Sequence, residues 1–350
     1  MIIRAQAPGK MVITGEYAVL EGAPAVVMAL DCPAKVELET HGKDGYAVSA
    51  PNLGIHAARA VWQGSQLRWP HATDAERDQL KLVTAVLEQL AAGGILPPPL
   101  RINLDTTSFF APQHRGKLGV GSSAAITVAL SGAVCALNEQ PAPDLEMMLA
   151  MHRQIQGGRG SGIDIAASLH GGAIIYQLDN ANPRWRHVFW PQDLPWCAVW
   201  SGRSASTSQA LAHLSAWRQM HPQIYTECIQ ALTGIAEGIV VALDAGDTTT
   251  VLDKIAAYTD ALDELGGASG IDIICDEHRA LMTLAAGNGV VYKPCGAGGG
   301  DIGVAIARAP DTLAHFIVQA TAAGYLVLDN GMDKRGLVVE TIATSNKRQD

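Results

Sequence analysis

The stretch Gly116-Lys117-Leu118-Gly119-Val120-Gly121-Ser122-Ser123-Ala124-Ala125 runs directly into a nearly all-apolar segment, Ile126 to Leu137. A helix without a polar face has to be buried on every side, so the fold must wrap around this one. Its approach carries three glycines, which let the backbone turn tightly and come close to a ligand, and two serines where the first turn begins. That turn has unpaired N–H groups and the positive end of the helix dipole. Together they suit a polyphosphate, with the hydroxyls of Ser122 and Ser123 beside it. An ordinary loop and N-cap would read the same way in isolation.

Two phosphate motifs can be tested against the stretch. The Walker pattern needs Lys followed by Ser or Thr after its last glycine, whereas Gly121 is followed by Ser122 and Ser123, and Lys117 lies on the wrong side. Gly119-x-Gly121-x-x-Ala124 satisfies the looser dinucleotide pattern, but that fingerprint follows a strand directly. Here the strand expected over Leu100–Leu104 is separated from it by the loop Asp105 to Arg115, which ranks a dinucleotide fold low.

At 350 residues the chain has room for two domains with their own cores, and 48% hydrophobic against 17% charged residues excludes a disordered chain. A formal net charge of −9 argues against a nucleic-acid or anionic-membrane surface, so an anionic substrate must be met by local lysines, arginines and N–H groups. No apolar run approaches roughly 18 residues, so no membrane span is expected. Lys10 interrupts the N-terminus before any apolar stretch of signal length. Six cysteines lie far apart without a C-x-x-C pair, as in a cytoplasmic protein with reduced thiols.

In chain order, Ile2 to Ala5 reads as a strand broken by Ala7-Pro8-Gly9-Lys10, with an apolar run from Met11 to Ile13 and another from Ala18 to Leu30. Lys10 is either a solvated turn charge or points into a site. Ala34–Thr40 and Tyr46–Ser49 alternate as strands around a turn at His41 to Gly45, and residues 51–70 fit no pattern. Thr73 to Ala92 has helical spacing and ends at Gly93-Gly94. After the buried helix and a second one from Asp144 to Ile155 comes Gly157-Gly158-Arg159-Gly160-Ser161-Gly162-Ile163-Asp164. This is another glycine-rich approach to a helix, and it places a carboxylate in the first turn. Such an acid is usually only a dipole partner. From Ala173 to Trp200 the sequence is strand-like, and the domain boundary is placed there. Helical patterns follow over Ser208–Met220, Ile224–Leu243, Thr249–Leu265 and Asp276–Ala286. A third glycine cluster, Lys293 to Asp301, lies between strands at Val290–Lys293 and Ile302–Ile306. The end reads helix (Thr312–Ala323), strand (Tyr325–Asp329), turn (Asn330-Gly331) and strand (Leu337–Thr341).

With these three clusters in order, the sequence resembles the GHMP kinases. Their first motif is similar to Pro8-Gly9-Lys10 through Gly15-Glu16-Tyr17-Ala18-Val19-Leu20, their second to Gly119–Ala125, and their third to Lys293–Asp301. The resemblance implies an α+β, two-domain fold. A ribosomal-protein-S5-like N-terminal domain (1–186) would bind ATP, and a ferredoxin-like C-terminal domain (187–350) would complete a cleft for the acceptor. Gly160-Ser161-Gly162-Ile163-Asp164, with Ser201-Gly202-Arg203-Ser204-Ala205-Ser206-Thr207, looks most like the phosphomevalonate kinases. Mevalonate kinases usually have an asparagine where Ile165 stands. They also carry a metal-binding glutamate about three helical turns earlier, where this chain reads His152-Arg153-Gln154.

By resemblance, Asp164 is the base and Lys10 its electrostatic partner. Lys117, Gly119, Val120, Gly121, Ser122, Ser123 and Ala124 cradle ATP, and Ser123 is the best-placed ligand for Mg²⁺. Tyr17, Ser161, Arg203, Ser204, Ser206, Thr207, Gly298 and Gly299 face the acceptor, phosphomevalonate or alternatively mevalonate. Arg203, with Arg159 and Lys10, would meet the acceptor's phosphate, although Ser201–Thr207 also reads as a plain polar turn before a helix. Neither nucleic acid nor membrane is expected as a partner, and a homodimer is left open. An inactive nucleotide-binding sensor of the same fold is the alternative of another class.

Overall fold

The computed structural model describes residues 1–40, 45–111, 116–155, 160–179 and 182–342. The expected turn at 41–44 and the segment 156–159, with Arg159, lie outside them. The first part of the chain comprises β1 (Ile2–Thr14), β2 (Ala25–Thr40), β3 (Tyr46–Ala50), β4 (Ile55–Gln63), β5 (Gln66–Arg68), α1 (Asp74–Ala92) and β6 (Leu100–Asp105). It continues with α2 (Ser122–Leu137), α3 (Leu145–Ile155), α4 (Ile163–His170), β7 (Ala173–Asp179) and β8 (Asn182–Val188). The second part holds β9 (Trp196–Trp200), α5 (Thr207–Met220), α6 (Pro222–Ala245), α7 (Thr248–Ser269), α8 (Asp276–Gly287), β10 (Val291–Pro294), β11 (Ile302–Ile306), α9 (Pro310–Ala322), β12 (Leu326–Leu328) and β13 (Val338–Ile342).

Among the described residues the strands form two sheets. The larger runs β13-β1-β2-β6-β3-β4-β5, with β7 also on β2 and β8 on β7; the smaller runs β10-β11-β9-β12. Mixed α and β in both parts make this an α+β fold. The strands do not separate at 186/187, because β8 spans that point and β13 returns from the far end of the chain to pair with β1.

Pro8-Gly9 does not break the first strand. β1 runs from Ile2 to Thr14 against β2 with register shifts between Ala7 and Gly9 and between Val12 and Thr14. A bulge absorbs a proline that cannot donate to the ladder, and it leaves Lys10 on a strand rather than a turn. A Cβ at Gly9 would stand 2.9 Å from the Val120 carbonyl oxygen, so this glycine lets the phosphate-loop backbone lie on the strand. The unplaced stretch 51–70 holds β4 and β5. Asn330-Gly331 is not a hairpin turn either: β12 pairs with β9 in the small sheet, while β13 pairs with β1 in the large one.

α2 is buried along almost its whole length, packed over β1 and β2 with α4 beside it, as its composition requires. α1 begins at a capping box, in which Thr73 Oγ1 accepts from Glu76 N and Glu76 Oε2 accepts from Thr73 N. One face of the small sheet packs on α8 and α9 through Val199, Tyr292, Leu281 and Phe316. The other face, including Trp200 and Val304, merges with α6, α7 and the core around α2. The two sheets therefore share one continuous apolar core. α6 departs from the expectation about apolar runs. Its isoleucines, valines, leucines and alanines make it long and apolar enough by length and composition to cross a membrane. Here it packs against α5 and α7 through Tyr225, Ile229, Leu232, Ala236 and Ile239.

Candidate active site

The three glycine clusters meet at one side chain. Lys10 donates its backbone N–H to Val120 O at 2.8 Å, and its Nζ lies 3.5 Å from Gly119 O. A Cβ built on Gly121 would stand 3.1 Å from Lys10 Cγ and 3.8 Å from Asp164 Cβ; one built on Gly296 would lie 3.9 Å from Lys10 Nζ. Lys10 from β1, Asp164 from α4, the loop before α2 and the third cluster thus border one space. Gly121, with φ of 85°, is the N-cap of α2, and Gly162, with φ of 83°, is the N-cap of α4. Two helix N-termini are entered through left-handed residues that an L side chain rarely tolerates. Asp164 takes the second position of α4, where its Oδ1 accepts from Ile165 N at 3.1 Å. Ser122 and Ser123 open α2, and Ser123 Oγ lies 3.2 Å from Nε2 of the buried His152. The residue standing where a metal-binding glutamate was sought therefore touches the serine instead.

The first family motif, Pro8 to Leu20, is tied across the molecule to the third glycine cluster. Buried Glu16 and Lys293 pair at 2.5 Å, and Lys293 Nζ also donates to Pro294 O at 2.6 Å. The same Glu16 oxygen accepts from Gly296 N at 3.2 Å, Tyr258 Oη donates to Glu16 O at 2.9 Å, and Tyr17 Oη donates to Ala297 O. Burial, with Glu16 adding to it, pushes the Tyr17 hydroxyl well above its ordinary value, which keeps it a neutral donor. Asp301 closes the third cluster. Its Oδ1 accepts from Ala205 N at 3.0 Å, and a Cβ on Gly119 would fall 2.0 Å from its Cγ. Burial raises the Asp301 carboxyl, while the Ala205 N–H and Lys10 pull it down.

Other expected acceptor residues are turned elsewhere. Gly299 N donates to Ile273 O at 2.9 Å and Gly298 packs on the same carbonyl, so Gly296 is the member of this turn that faces Lys10. Arg203 directs its guanidinium to Asp272 at 3.2 Å, with Glu277 at 3.9 Å. Ser204 Oγ donates to Lys117 O at 3.1 Å, Ser206 Oγ caps α5 by accepting from Gln209 N at 3.4 Å, and Thr207 is the first helical residue. Lys117 itself reaches over the Phe110 ring. Ser161 lies at the approach to α4, its carbonyl accepting from Tyr176 Oη at 2.6 Å. Val120 and Ala124 are buried beneath the phosphate loop.

Two cavities are relevant. One of about 610 Å³ lies on the large sheet beside Arg4, Lys35 and Asp105 and is lined by none of the residues above. The other, about 460 Å³, is walled by the short helical turn Ala18–Glu21 that follows Tyr17, by Arg153 and Gly160, and by α5 and the start of α6. It adjoins the approach to the Asp164 turn through Gly160, two residues before the N-cap of α4.

A glycine-lined loop at a helix N-terminus, facing a lysine and a carboxylate, is an arrangement suited to phosphoryl transfer. The family description "GHMP kinases N terminal domain" matches residues 81–172. A phosphomevalonate kinase from Streptomyces sp. (strain CL190) is 31% identical over 92% of this chain and 95% of its own length. The chain belongs to the GHMP kinase family and is a kinase. It is similar at lower identity to a mevalonate kinase from Pyrococcus furiosus, 23% over 98% of this chain and 99% of that one. In fold it is similar to a phosphomevalonate kinase from Streptococcus pneumoniae solved with phosphomevalonate and AMPPNP, with a TM-score of 0.76, 18% identity, and coverage of 94% of this chain and 99% of the other.

Proposed function

We propose that this protein transfers the γ-phosphoryl group of ATP to the phosphate of phosphomevalonate, giving ADP and diphosphomevalonate, a step in the supply of isoprenoid precursors. The observation that carries the reading is the convergence of all three glycine clusters on Lys10 beside Asp164. Phosphoryl transfer asks mainly for positioning and charge neutralisation, since the charge in flight is spread over phosphate oxygens. The N–H groups at the start of α2 hold the β- and γ-phosphates, and Lys10 places an ammonium beside the transferring group. An acceptor phosphate is largely dianionic at neutral pH, so Asp164 takes any residual proton and orients the attacking oxygen. For an alcohol acceptor it would be a full base. The hydroxyl of Ser123 and the carboxylate of Asp164 are hard oxygen donors that fit Mg²⁺, which takes one or two protein oxygens and keeps its other positions for phosphate and water. Mg²⁺, when bound, neutralises charge on the phosphate oxygens.

Mevalonate is the second reading, supported by the mevalonate kinases that align with nearly the whole chain. The test is ATP consumption by the purified protein with phosphomevalonate, mevalonate, homoserine and galactose offered in parallel. Turnover with phosphomevalonate alone is expected. Turnover with mevalonate and none with phosphomevalonate would overturn the choice, and ATP binding without turnover of any acceptor would favour a sensor.

A further inference from the structure

The acceptor reading leaves a charge problem. A chain of net charge −9 has to hold a dianion next to Asp164, and Arg203 is already neutralised by Asp272 and Glu277. The cavity of about 460 Å³ beside the Asp164 turn supplies two other guanidiniums. Arg153, at the end of α3, is half-buried and makes no hydrogen bond or ion pair with a described residue. Arg218 lines the same cavity from α5, bonded to Glu21 through Nη1 at 2.6 Å and Nη2 at 3.5 Å. Between them the wall is apolar, with Leu20, Leu178, Leu211 and Leu214.

Apolar walls with two guanidiniums suit a short carbon chain ending in an anion. The cavity's size falls within the range of small-ligand sites, about 300–1,000 Å³, and such sites pair apolar walls with a few placed polar groups. Guanidinium is the group that grips phosphate through two parallel bonds. We infer that Arg153 and Arg218 bind the phosphate of a phosphomonoester acceptor, with Glu21 acting as the placeholder that holds Arg218 until the ligand arrives. The inference rests on the functional reading above. Because the two arginines come from different helices, α3 and α5, the acceptor's own phosphate would tie α5 to the Asp164 turn. An alcohol acceptor lacking that phosphate would leave both arginines unsatisfied, which is the basis of discrimination.

The competing role for Arg218 is purely structural: it also stacks on the Tyr225 ring at 4.7 Å, and Tyr225 Oη donates to Glu21 at 2.8 Å. The experiment is calorimetric binding of phosphomevalonate and of mevalonate to the whole protein, with KM for phosphomevalonate and for ATP measured alongside. The proteins are wild type, Arg153→Gln, Arg218→Gln and Glu21→Gln. Each arginine variant should weaken phosphomevalonate binding and raise its KM about 10- to 100-fold, as expected for a lost charged hydrogen bond. The KM for ATP should be unchanged. Glu21→Gln should bind phosphomevalonate as well as or better than wild type, because Arg218 is released. If Glu21→Gln instead weakens binding as much as Arg218→Gln, the pair is only a strut and the inference fails. Wild type that turns over phosphomevalonate while both arginine variants keep its affinity would overturn the inference and leave the functional reading standing. Binding of phosphomevalonate that needs both arginines but leads to no transfer would overturn the functional reading and leave the pocket. No binding of phosphomevalonate to wild type would overturn both.

Discussion

Replacing Lys293 by methionine would leave the Glu16 carboxylate stranded in the core. The two side chains are 0% and 2% exposed, and beyond Lys293 the paired oxygen has only Gly296 N, while the other oxygen is buried without a hydrogen-bond partner. Removing one member of a buried pair typically costs about 3–5 kcal/mol, a large share of the roughly 5–15 kcal/mol that holds a domain folded. Glu16→Leu strands the ammonium and should cost a similar amount. If the pair acts as a unit, the double variant Glu16→Leu/Lys293→Met should lose about as much as either single change. What it leaves behind are two buried backbone groups, Gly296 N and Pro294 O, at about 1–3 kcal/mol each. Urea unfolding of the four proteins, followed by tryptophan fluorescence, measures this directly. Stability losses that simply add, or single variants that lose less than about 1 kcal/mol, would refute the view that this pair locks the Pro8–Leu20 motif to the third glycine cluster.

Gly121→Ala puts a methyl group 3.1 Å from Lys10 Cγ at a φ of 85°. Turnover should fall about 100-fold, because displacing a catalytic group by about 1 Å has that effect, and steady-state kcat checks it. Lys10→Met should lower kcat by about 100-fold or more while the urea midpoint holds, since among the described residues the ammonium makes one long contact, 3.5 Å to Gly119 O. His278 is buried between two partners. Nε2 must donate to Gly300 O at 2.8 Å, so Nδ1 accepts from Tyr292 Oη at 2.9 Å. Burial holds its pKa below the ordinary value of 6.5, with the Gly300 carbonyl opposing. In the window that opens at 6.5 and runs downward, the unfolded chain binds the extra proton and the folded one does not, so stability falls as pH falls. The urea midpoint should drop between pH 7 and pH 5, and His278→Gln should flatten that slope; an unchanged slope would assign the acid sensitivity elsewhere.

The helices and the phosphate loop were legible because their signals are local: Thr73 and Glu76 cap α1, and Gly121 with two serines starts α2. Pro8-Gly9 and Asn330-Gly331 misled for a physical reason. The same dipeptides that make turns also make a bulge in a long strand or a crossover between sheets, and only the partner strand decides. Lys10 and Asp164 could be named from their glycine neighbours and paired only through the family resemblance, since their meeting depends on Gly121 and Gly296 closing on one point. Glu16 and Lys293 are 277 positions apart, and no periodicity links them. The polar run Ser201–Thr207 resembled a phosphate site because hydroxyls and a guanidinium serve anions and helix caps equally. Here Ser206 caps α5 and Arg203 holds Asp272.

The most direct test of the account is a single-turnover reaction of ATP, Mg²⁺ and phosphomevalonate, with products resolved by phosphorus NMR, for wild type and Asp164→Asn. Wild type should convert the phosphomonoester signal into the paired resonances of a diphosphate monoester together with ADP. Asp164→Asn should bind both substrates yet form that product about 100-fold or more slowly. Inorganic phosphate as the only new product, or a diphosphate formed at the same rate by both proteins, would contradict it.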